Sequence, residues 1–272
     1  MNDVVIGAIG GYEFSQIKNW VYSLNKTTFD GDRIMISYGS SEDVVSRLKE
    51  NGFEVYEVGW DGWGRPLTGG NDLITHSGLV NPENAHRLVH NLRFFHIWHL
   101  LSQFEKEGRE YDRVITTDVR DVMFQGNPSD WLDANQEKPI IAPCESVMYK
   151  DESWNLNNFI TTFGNVLWEY LGKDIQVCNV GTIAGNANEL KEMSYMIYSL
   201  AVGNGHGDQP AFNINKQPLS DYLASPFYTE LRDQMLNDKW GLGCRDCIEE
   251  ERSGVEGTRE SGDKFKFKTE FS

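Results

Sequence analysis

The sequence predicts an α/β domain with a mostly parallel central sheet flanked by helices on both faces. Three observations carry that expectation. Short apolar runs alternate with stretches of helical periodicity from residue 3 to about residue 215, glycine-bearing turns punctuate them, and "YDRVITTD" reads as a strand buried on both sides.

The elements follow in order. "DVVIGAI" (3–9) ends at Gly10-Gly11, and "FSQIKNWVYSLNK" (14–26) places Ile17, Trp20, Val21 and Leu24 on one helical face, giving a strand, a glycine turn and a helix. "DRIMISYG" (32–39), "SEDVVSRLKENG" (41–52) and "FEVYEV" (53–58) repeat the unit, with Ser41 as candidate N-cap and Gly52 as stop. Residues 59–82 break the rhythm with six glycines and two prolines, the composition of a functional or mobile loop. A long helical stretch (83–108) leads to "YDRVITTD". Strand "KPIIAP" (138–143), helix 154–172, strand "QVCNVGTIAG" (176–185) and helix 188–203 complete the series. The last 24 residues hold twelve charges and only four apolar side chains, too few to offset chain entropy, so they read as a loosely attached tail, although "KFKFKTEF" alternates well enough for an edge strand.

Composition excludes some classes of partner. A formal net charge of −16 argues against nucleic acid and anionic membranes, which need a basic surface. There is no run of about 18 apolar residues to span a bilayer and no leader pattern after Met1, so the expected location is cytoplasmic, with no integral membrane segment. Four cysteines are too sparse for a disulfide framework in a chain of 272 residues. Cys244 and Cys247 form a lone C-x-x-C with no second pair nearby to complete a zinc shell. Four of the six histidines fall in "HRLVHNLRFFHIWH", where His86 and His90 share a helical face but His96 and His99 turn away from it.

The chemistry concentrates in "TTDVRDVMFQ" (116–125). On a straight strand Asp118 and Asp121 would point to opposite faces, so they converge only if the chain bends at Val119-Arg120. At the carboxyl end of a central strand, where open α/β sheets bind ligands, two such carboxylates suit Mg²⁺ or Mn²⁺ completed by substrate phosphates. The competing reading is a solvated turn with an Arg120 ion pair.

"YDRVITTDVRDVMFQGNP", then "NVGTIAGNANEL" and then "DQPAFN" resemble, in order and interval, the GT-A class of nucleotide-sugar glycosyltransferases, and residues 3–39 are similar to the nucleotide-binding unit of that class. The resemblance covers about residues 3–225 and implies a GT-A-type domain over 1–240 followed by the charged tail, 241–272. It implies transfer of a sugar from a nucleotide-sugar donor to a hydroxyl of a glycan or glycoconjugate acceptor, with Mn²⁺ or Mg²⁺ held by Asp118 and Asp121. Ala8, Gly10 and Tyr12 would lie against the nucleotide, with Tyr12 either stacking on the base or simply packing at a helix start. Arg93 would answer the donor phosphates or form a plain salt bridge. Asn179 and Gly181 match positions near the donor sugar or acceptor, and Glu145 is a weaker candidate. Asp208 and Gln209 match the pair beside the reacting sugar: Asp208 as general base or sugar ligand, Gln209 in support of a retaining route, with Asp208 equally suited to cap a helix that carries Pro210 in its first turn.

Two departures stand out. The aspartates are separated by two residues where the class usually has one, and after His206 the chain has no histidine to supply a late metal ligand. A sugar-phosphate nucleotidyltransferase is the enzymatic alternative, but "IGGYEFSQIK" lacks its basic glycine-rich loop, and a degenerate nucleotide-sugar-binding scaffold is the non-enzymatic one.

Overall fold

The computed structural model describes residues 2–60, 66–67, 89–201, 207–215, 257–258 and 264–265. β1 (Asp3–Gly10) lies inside a six-stranded sheet. α1 (Phe14–Asn25) leads to β2 (Asp32–Tyr38), and α2 (Glu42–Glu50) leads to β3 (Glu54–Glu57). β4 (Gly59–Trp60) and β5 (Pro66–Leu67) pair antiparallel outside that sheet. α3 (Val89–Lys106) precedes β6 (Arg113–Thr117), and α4 (Pro128–Asn135) precedes β7 (Ile140–Ile141).

β8 (Cys144–Met148), a 3₁₀ turn (Tyr149–Asp151), α5 (Ser153–Leu167), a π-helical turn (Trp168–Gly172) and β9 (Gln176–Cys178) make an excursion before β10 (Thr182–Asn186) re-enters the sheet. α6 (Ala187–Ala201) and α7 (Asp208–Asn215) follow, and β11 (Gly257–Thr258) pairs with β12 (Lys264–Phe265).

The order is β3-β2-β1-β6-β10-β7. β3, β2, β1 and β6 are mutually parallel, while β10 runs antiparallel to both its neighbours, so the sheet is mixed and not mostly parallel. The cause is local. The apolar run 176–185 predicted one strand, but the chain turns at Asn179–Gly181: β9 pairs with β8, and β10 enters beside the end of β6, Thr182 opposite Thr117. A parallel partner would have needed a helical crossover at that point.

Side chains alternate across β1 and divide the core in two. Val4 and Ile6 meet Leu92, Phe94 and Ile97 of α3, Ile197 of α6 and Phe212 of α7, whereas Val5 and Ile9 meet Ile17, Trp20 and Leu24 of α1, Val44 and Leu48 of α2 and Leu132 of α4. Helices therefore cover both faces, as the alternation predicted. A smaller cluster of Tyr149, Phe159, Val177 and Ile214 seats α5 between β9 and α7.

Ser41 caps α2 as expected, its side chain accepting from Val44 N, and Gly52 follows that helix with φ +83°. The predicted helix 154–172 is interrupted by Gly164 at φ +79°, and the predicted strand 138–143 shrinks to two residues. α4 was not anticipated: Asn127 caps it, with Pro128 at its start. Most of the glycine-rich stretch, His86 and the first turn of the 83–108 helix, His206, Cys244, Cys247 and most of the 241–272 tail lie outside the described residues, as does the boundary at residue 240.

Candidate functional site

From β1 the chain moves outward through β2 and β3, then returns to β6 on the other side of β1. The crevice at the carboxyl ends of β1 and β6 is thus a topological switch point, where open α/β sheets leave room for a ligand. Gly10 ends β1 there, and a Cβ on it would stand 2.8 Å from Val89 Cγ2, so the bare backbone is what allows the start of α3 to approach.

β6 stops at Thr117 because Val119 is drawn into the core beside Gly7, and residues 119–121 bend. The bend required by the strand-period argument is present. Thr117 is itself held from below, its Oγ1 accepting from the buried Trp20 indole N–H at 2.7 Å. Asp118 N donates to Gly181 O at 2.7 Å, locking the end of β6 to the entry of β10.

Arg93 is the hub. It rises from α3 as a buried side chain, and its guanidinium pairs with Asp118 Oδ1 and, at 3.3 Å, with Asp208 Oδ2, while also donating to Val180 O at 3.3 Å. Burial disfavours its charge, but the Asp118 and Asp208 carboxylates outweigh burial and raise its pKa above the ordinary arginine value. Its planar fork is suited to two carboxylates from different elements. Arg93 thus forms the ion pair that was one of its two readings.

Asn179 occupies the turn between β9 and β10. Its Oδ1 accepts from Gly181 N at 2.6 Å and its Nδ2 lies 3.4 Å from Glu145 Oε1. A Cβ on Gly181 would come within 2.7 Å of both Asn179 Oδ1 and Asp118 Oδ2, so only glycine fits between these two polar groups.

Asp208 and Gln209 open α7 and are both buried. The helix begins at Asp208 itself, with Gly207 O accepting from Ala211 N, so Asp208 is freed from the capping role and turned to Arg93. Gln209 Nε2 donates to Asn155 Oδ1 at 2.6 Å. Asn213, one turn on, ties α7 to β9: its Oδ1 accepts from Cys178 N at 2.8 Å and its Nδ2 donates to Cys178 O at 2.7 Å. Tyr149 packs beneath, fully buried, and burial followed by the Asp208 charge raises its phenol pKa well above the usual value.

The structure therefore gathers Arg93, Asp118, Asn179, Gly181, Asp208 and Gln209, with Glu145 at their margin. Ala8 sits on β1 packed against the core, and Tyr12 lies in the turn with the Arg120 guanidinium 5.9 Å from its ring centre. Asp121 is exposed in the bend and makes no hydrogen bond or ion pair among the described residues. Among those residues no group of three or more His, Cys, Asp or Glu side chains is gathered for a metal ion.

Asn155 and Tyr149 were missed by sequence reasoning, and Asn213 was marked only as the last residue of "DQPAFN", with no role assigned. Asparagine and tyrosine in a helix or turn carry no spacing signal, and only the packing of α5 against α7 reveals them. The Cys144–Cys178 disulfide was missed for the same reason: the two are 34 residues apart and meet only as a cross-strand pair of β8 and β9.

Together these features define an α/β protein with a mixed six-stranded sheet and a carboxylate cluster organised around a buried arginine. No protein-family profile matches the chain, and no curated protein matches it.

Proposed function

We infer that this chain is a GT-A-type glycosyltransferase, moving a sugar from a nucleotide-diphosphate donor to a hydroxyl of a glycan or glycoconjugate, with Mn²⁺ or Mg²⁺. The observation that carries the reading is the Arg93 fork, which joins Asp118 from the end of β6 to Asp208 at the start of α7 across the switch point. These are the residues the motif order singled out, drawn from segments 90 positions apart.

Charge supports a cation. Arg93 is already shared between two carboxylates, and Asp121 and Glu145 add further negative charge, so a diphosphate would bring more anion into an acidic site unless a cation came with it. Asp121 and the second oxygen of Asp118 suit Mg²⁺ or Mn²⁺, which takes one or two carboxylates and fills its other positions with water and phosphate oxygens. Such a cation supplies charge neutralisation as the nucleoside diphosphate departs.

The chain's own residues do the rest. Asp208, oriented by Arg93, is placed to accept a hydrogen bond from a sugar hydroxyl or to take the acceptor's proton. Gln209 offers its amide to the same sugar, and Gly181 lets Asn179 and Asp118 close on each other beside it without a clash. Tyr12, beneath Arg120, forms an aromatic and cationic wall suited to a nucleobase.

A nucleotide-sugar-binding scaffold is the second reading, favoured by the commitment of one Asp118 oxygen to Arg93. Titration calorimetry with UDP-, GDP- and dTDP-sugars, with and without Mn²⁺, tests both. Metal-dependent binding with release of nucleoside diphosphate supports the enzyme, binding without release supports the scaffold, and no binding defeats both. Asp121→Ala should abolish metal-dependent binding and leave the melting temperature unchanged, and wild-type affinity in that variant would return Asp121 to an ordinary turn.

No helix among the described residues is long and apolar enough to cross a membrane. The cytoplasmic expectation also belongs to this proposal, with the Cys144–Cys178 bridge weighing against it, since reducing compartments keep thiols unpaired.

A further inference from the structure

α1 holds the Asp118–Asp121 bend from both ends. Trp20 and Ser23 lie one turn apart on the buried face of that helix. The Trp20 indole N–H donates to Thr117 Oγ1 at 2.7 Å, and Thr117 Oγ1 donates in turn to Asp118 O at 3.0 Å. A hydroxyl has one proton and two lone pairs, so Thr117 can take the indole proton and hold the Asp118 carbonyl at once. Asp118 N donates to Gly181 O, and both backbone groups of Asp118 are therefore fixed. At the far end of the bend Phe124 N donates to Ser23 Oγ at 3.0 Å, Ser23 Oγ donates to Trp20 O at 2.9 Å, and the Phe124 ring meets the Trp20 indole edge-on at 5.7 Å.

Between these ends Val119 drops into the notch above Gly7, where a Cβ would stand 2.7 Å from Val119 Cγ1 and 3.1 Å from Trp20 Cη2. Burying Val119 takes up one residue of the bend and Arg120 turns out to solvent, so the next carboxylate emerges at Asp121. The interval of two residues between the aspartates, one more than the class usually has, follows from that notch. Residues 119–123 make no backbone hydrogen bond, and Asp121 no side-chain bond or ion pair, among the described residues. The course of the segment is set by its two end bonds and by the packing of Val119, Val122 and Phe124 on the α1 side of the core.

We propose that Trp20, Ser23 and Thr117 are positioning residues that hold the Asp118 and Asp121 carboxylates in one mutual geometry before a ligand arrives, so that the site favours a small octahedral cation over a larger, more accommodating one. The proposal deepens the transfer reading and rests on it for the ligand, but the clamp itself stands on the protein's own hydrogen bonds. Mg²⁺ demands near-ideal octahedral geometry, whereas Ca²⁺ takes about 6–8 oxygens in a flexible arrangement. Carboxylates on a bend that cannot yield suit the first.

The test has two arms. In ligand-free, ¹⁵N-labelled protein, Thr117→Val should speed hydrogen exchange at the Asp118 amide, and Ser23→Ala at the Phe124 amide, about 10-fold more than at Val5. Val5 is fully buried inside β1 and reports any loss of global stability. Thr117→Ser, which keeps the hydroxyl, should match the wild type. In the second arm, calorimetry with UDP-, GDP- and dTDP-sugars follows donor binding in Mg²⁺ and in Ca²⁺. Thr117→Val and Ser23→Ala should weaken Mg²⁺-supported binding about 10-fold and leave Ca²⁺-supported binding little changed, whereas a merely weakened fold lowers both alike.

Exchange at Asp118 and Phe124 that rises no more than at Val5 would overturn the clamp, and so would a Thr117→Ser variant that behaves like Thr117→Val. Raised exchange with an unaltered ratio of Mg²⁺- to Ca²⁺-supported binding would overturn its part in cation choice, as would a wild type that binds donor equally well in both. If the wild type bound no nucleotide sugar in either cation, the transfer reading would fall and cation choice with it, and the exchange arm alone would decide the clamp.

Discussion

Replacing Arg93 by Met keeps most of the side-chain volume and removes the charge that two carboxylates share. Breaking a buried ion pair by deleting one partner costs about 3–5 kcal/mol, because the other charge stays behind without compensation. The two partners are unequal: the Asp118 side chain is 38% exposed and water can replace Arg93 there, whereas Asp208 is only 9% exposed and cannot be rehydrated without movement of α7. Val180 O also loses its donor. The loss should lie at the lower end, about 3 kcal/mol, which for a domain of this size corresponds to a fall in Tm of about 6–12 °C. Urea denaturation followed by tryptophan fluorescence reads it as a lower midpoint at constant m. The Arg93→Met/Asp208→Asn double variant should regain most of the loss, since a neutral amide needs no counter-charge. A loss under about 1 kcal/mol in Arg93→Met, the size of an exposed pair, would refute the view that Asp208 depends on this arginine.

Gly181→Ala drives a methyl group against Asp118 Oδ2 and Asn179 Oδ1, so it should cost about 1–3 kcal/mol and weaken donor binding measured by calorimetry, while donor affinity equal to wild type would show that the turn yields harmlessly. Cys144→Ala/Cys178→Ala opens a loop spanning 34 residues, for which chain entropy gives about 3–4 kcal/mol, and thermal melts with and without reductant should show the same loss in the wild type and none in the variant. At the opposite end of the sheet, Arg109 holds Asp32 and Glu54. Burial opposes ionisation of Asp32 but its bonds to Tyr111 and Arg109 prevail, and the Arg109 hydrogen bond leads for Glu54, so both pKa values are depressed. Their contribution is present above the unfolded carboxylate range of about 4 and lost as pH falls through the folded values, so Arg109→Met should flatten the acid limb of the stability curve, and an unaltered limb would show that other carboxylates set it.

The first half of the fold was legible because its rules are local. The apolar face of α1, the Ser41 cap and Gly52 stop of α2, and the burial of β6 each follow from a few adjacent residues. The direction of β10 was not, because "QVCNVGTIAG" has the apolar content of a single strand, and what divides it is a side-chain bond from Gly181 N to Asn179 together with pairing to a partner at residue 144. The same contrast holds at the site. Asp118, Asp208 and Gln209 were marked by motif order, and Arg93 was noticed as a cation in a helix, but its double pairing depends on the angle at which α3 crosses the sheet. Asn155 had no signature, and Asn213, although it closes the "DQPAFN" motif, had no role assigned, since an asparagine reveals its role only when the partner backbone or amide is in view.

Asn213 gives Cys178 both bonds that a neighbouring β-strand would give it, one accepted from the Cys178 N–H and one donated to its carbonyl. A single side chain thereby acts as a ruler between α7 and β9. Sliding the helix by one residue would forfeit both bonds at once, so the positions of Asp208 and Gln209 are indexed to Cys178 and, through the next peptide, to Asn179. The same amide occupies the backbone groups that Cys178 would otherwise offer to a foreign strand, so the device that sets the spacing of the site also closes part of an edge against misassociation.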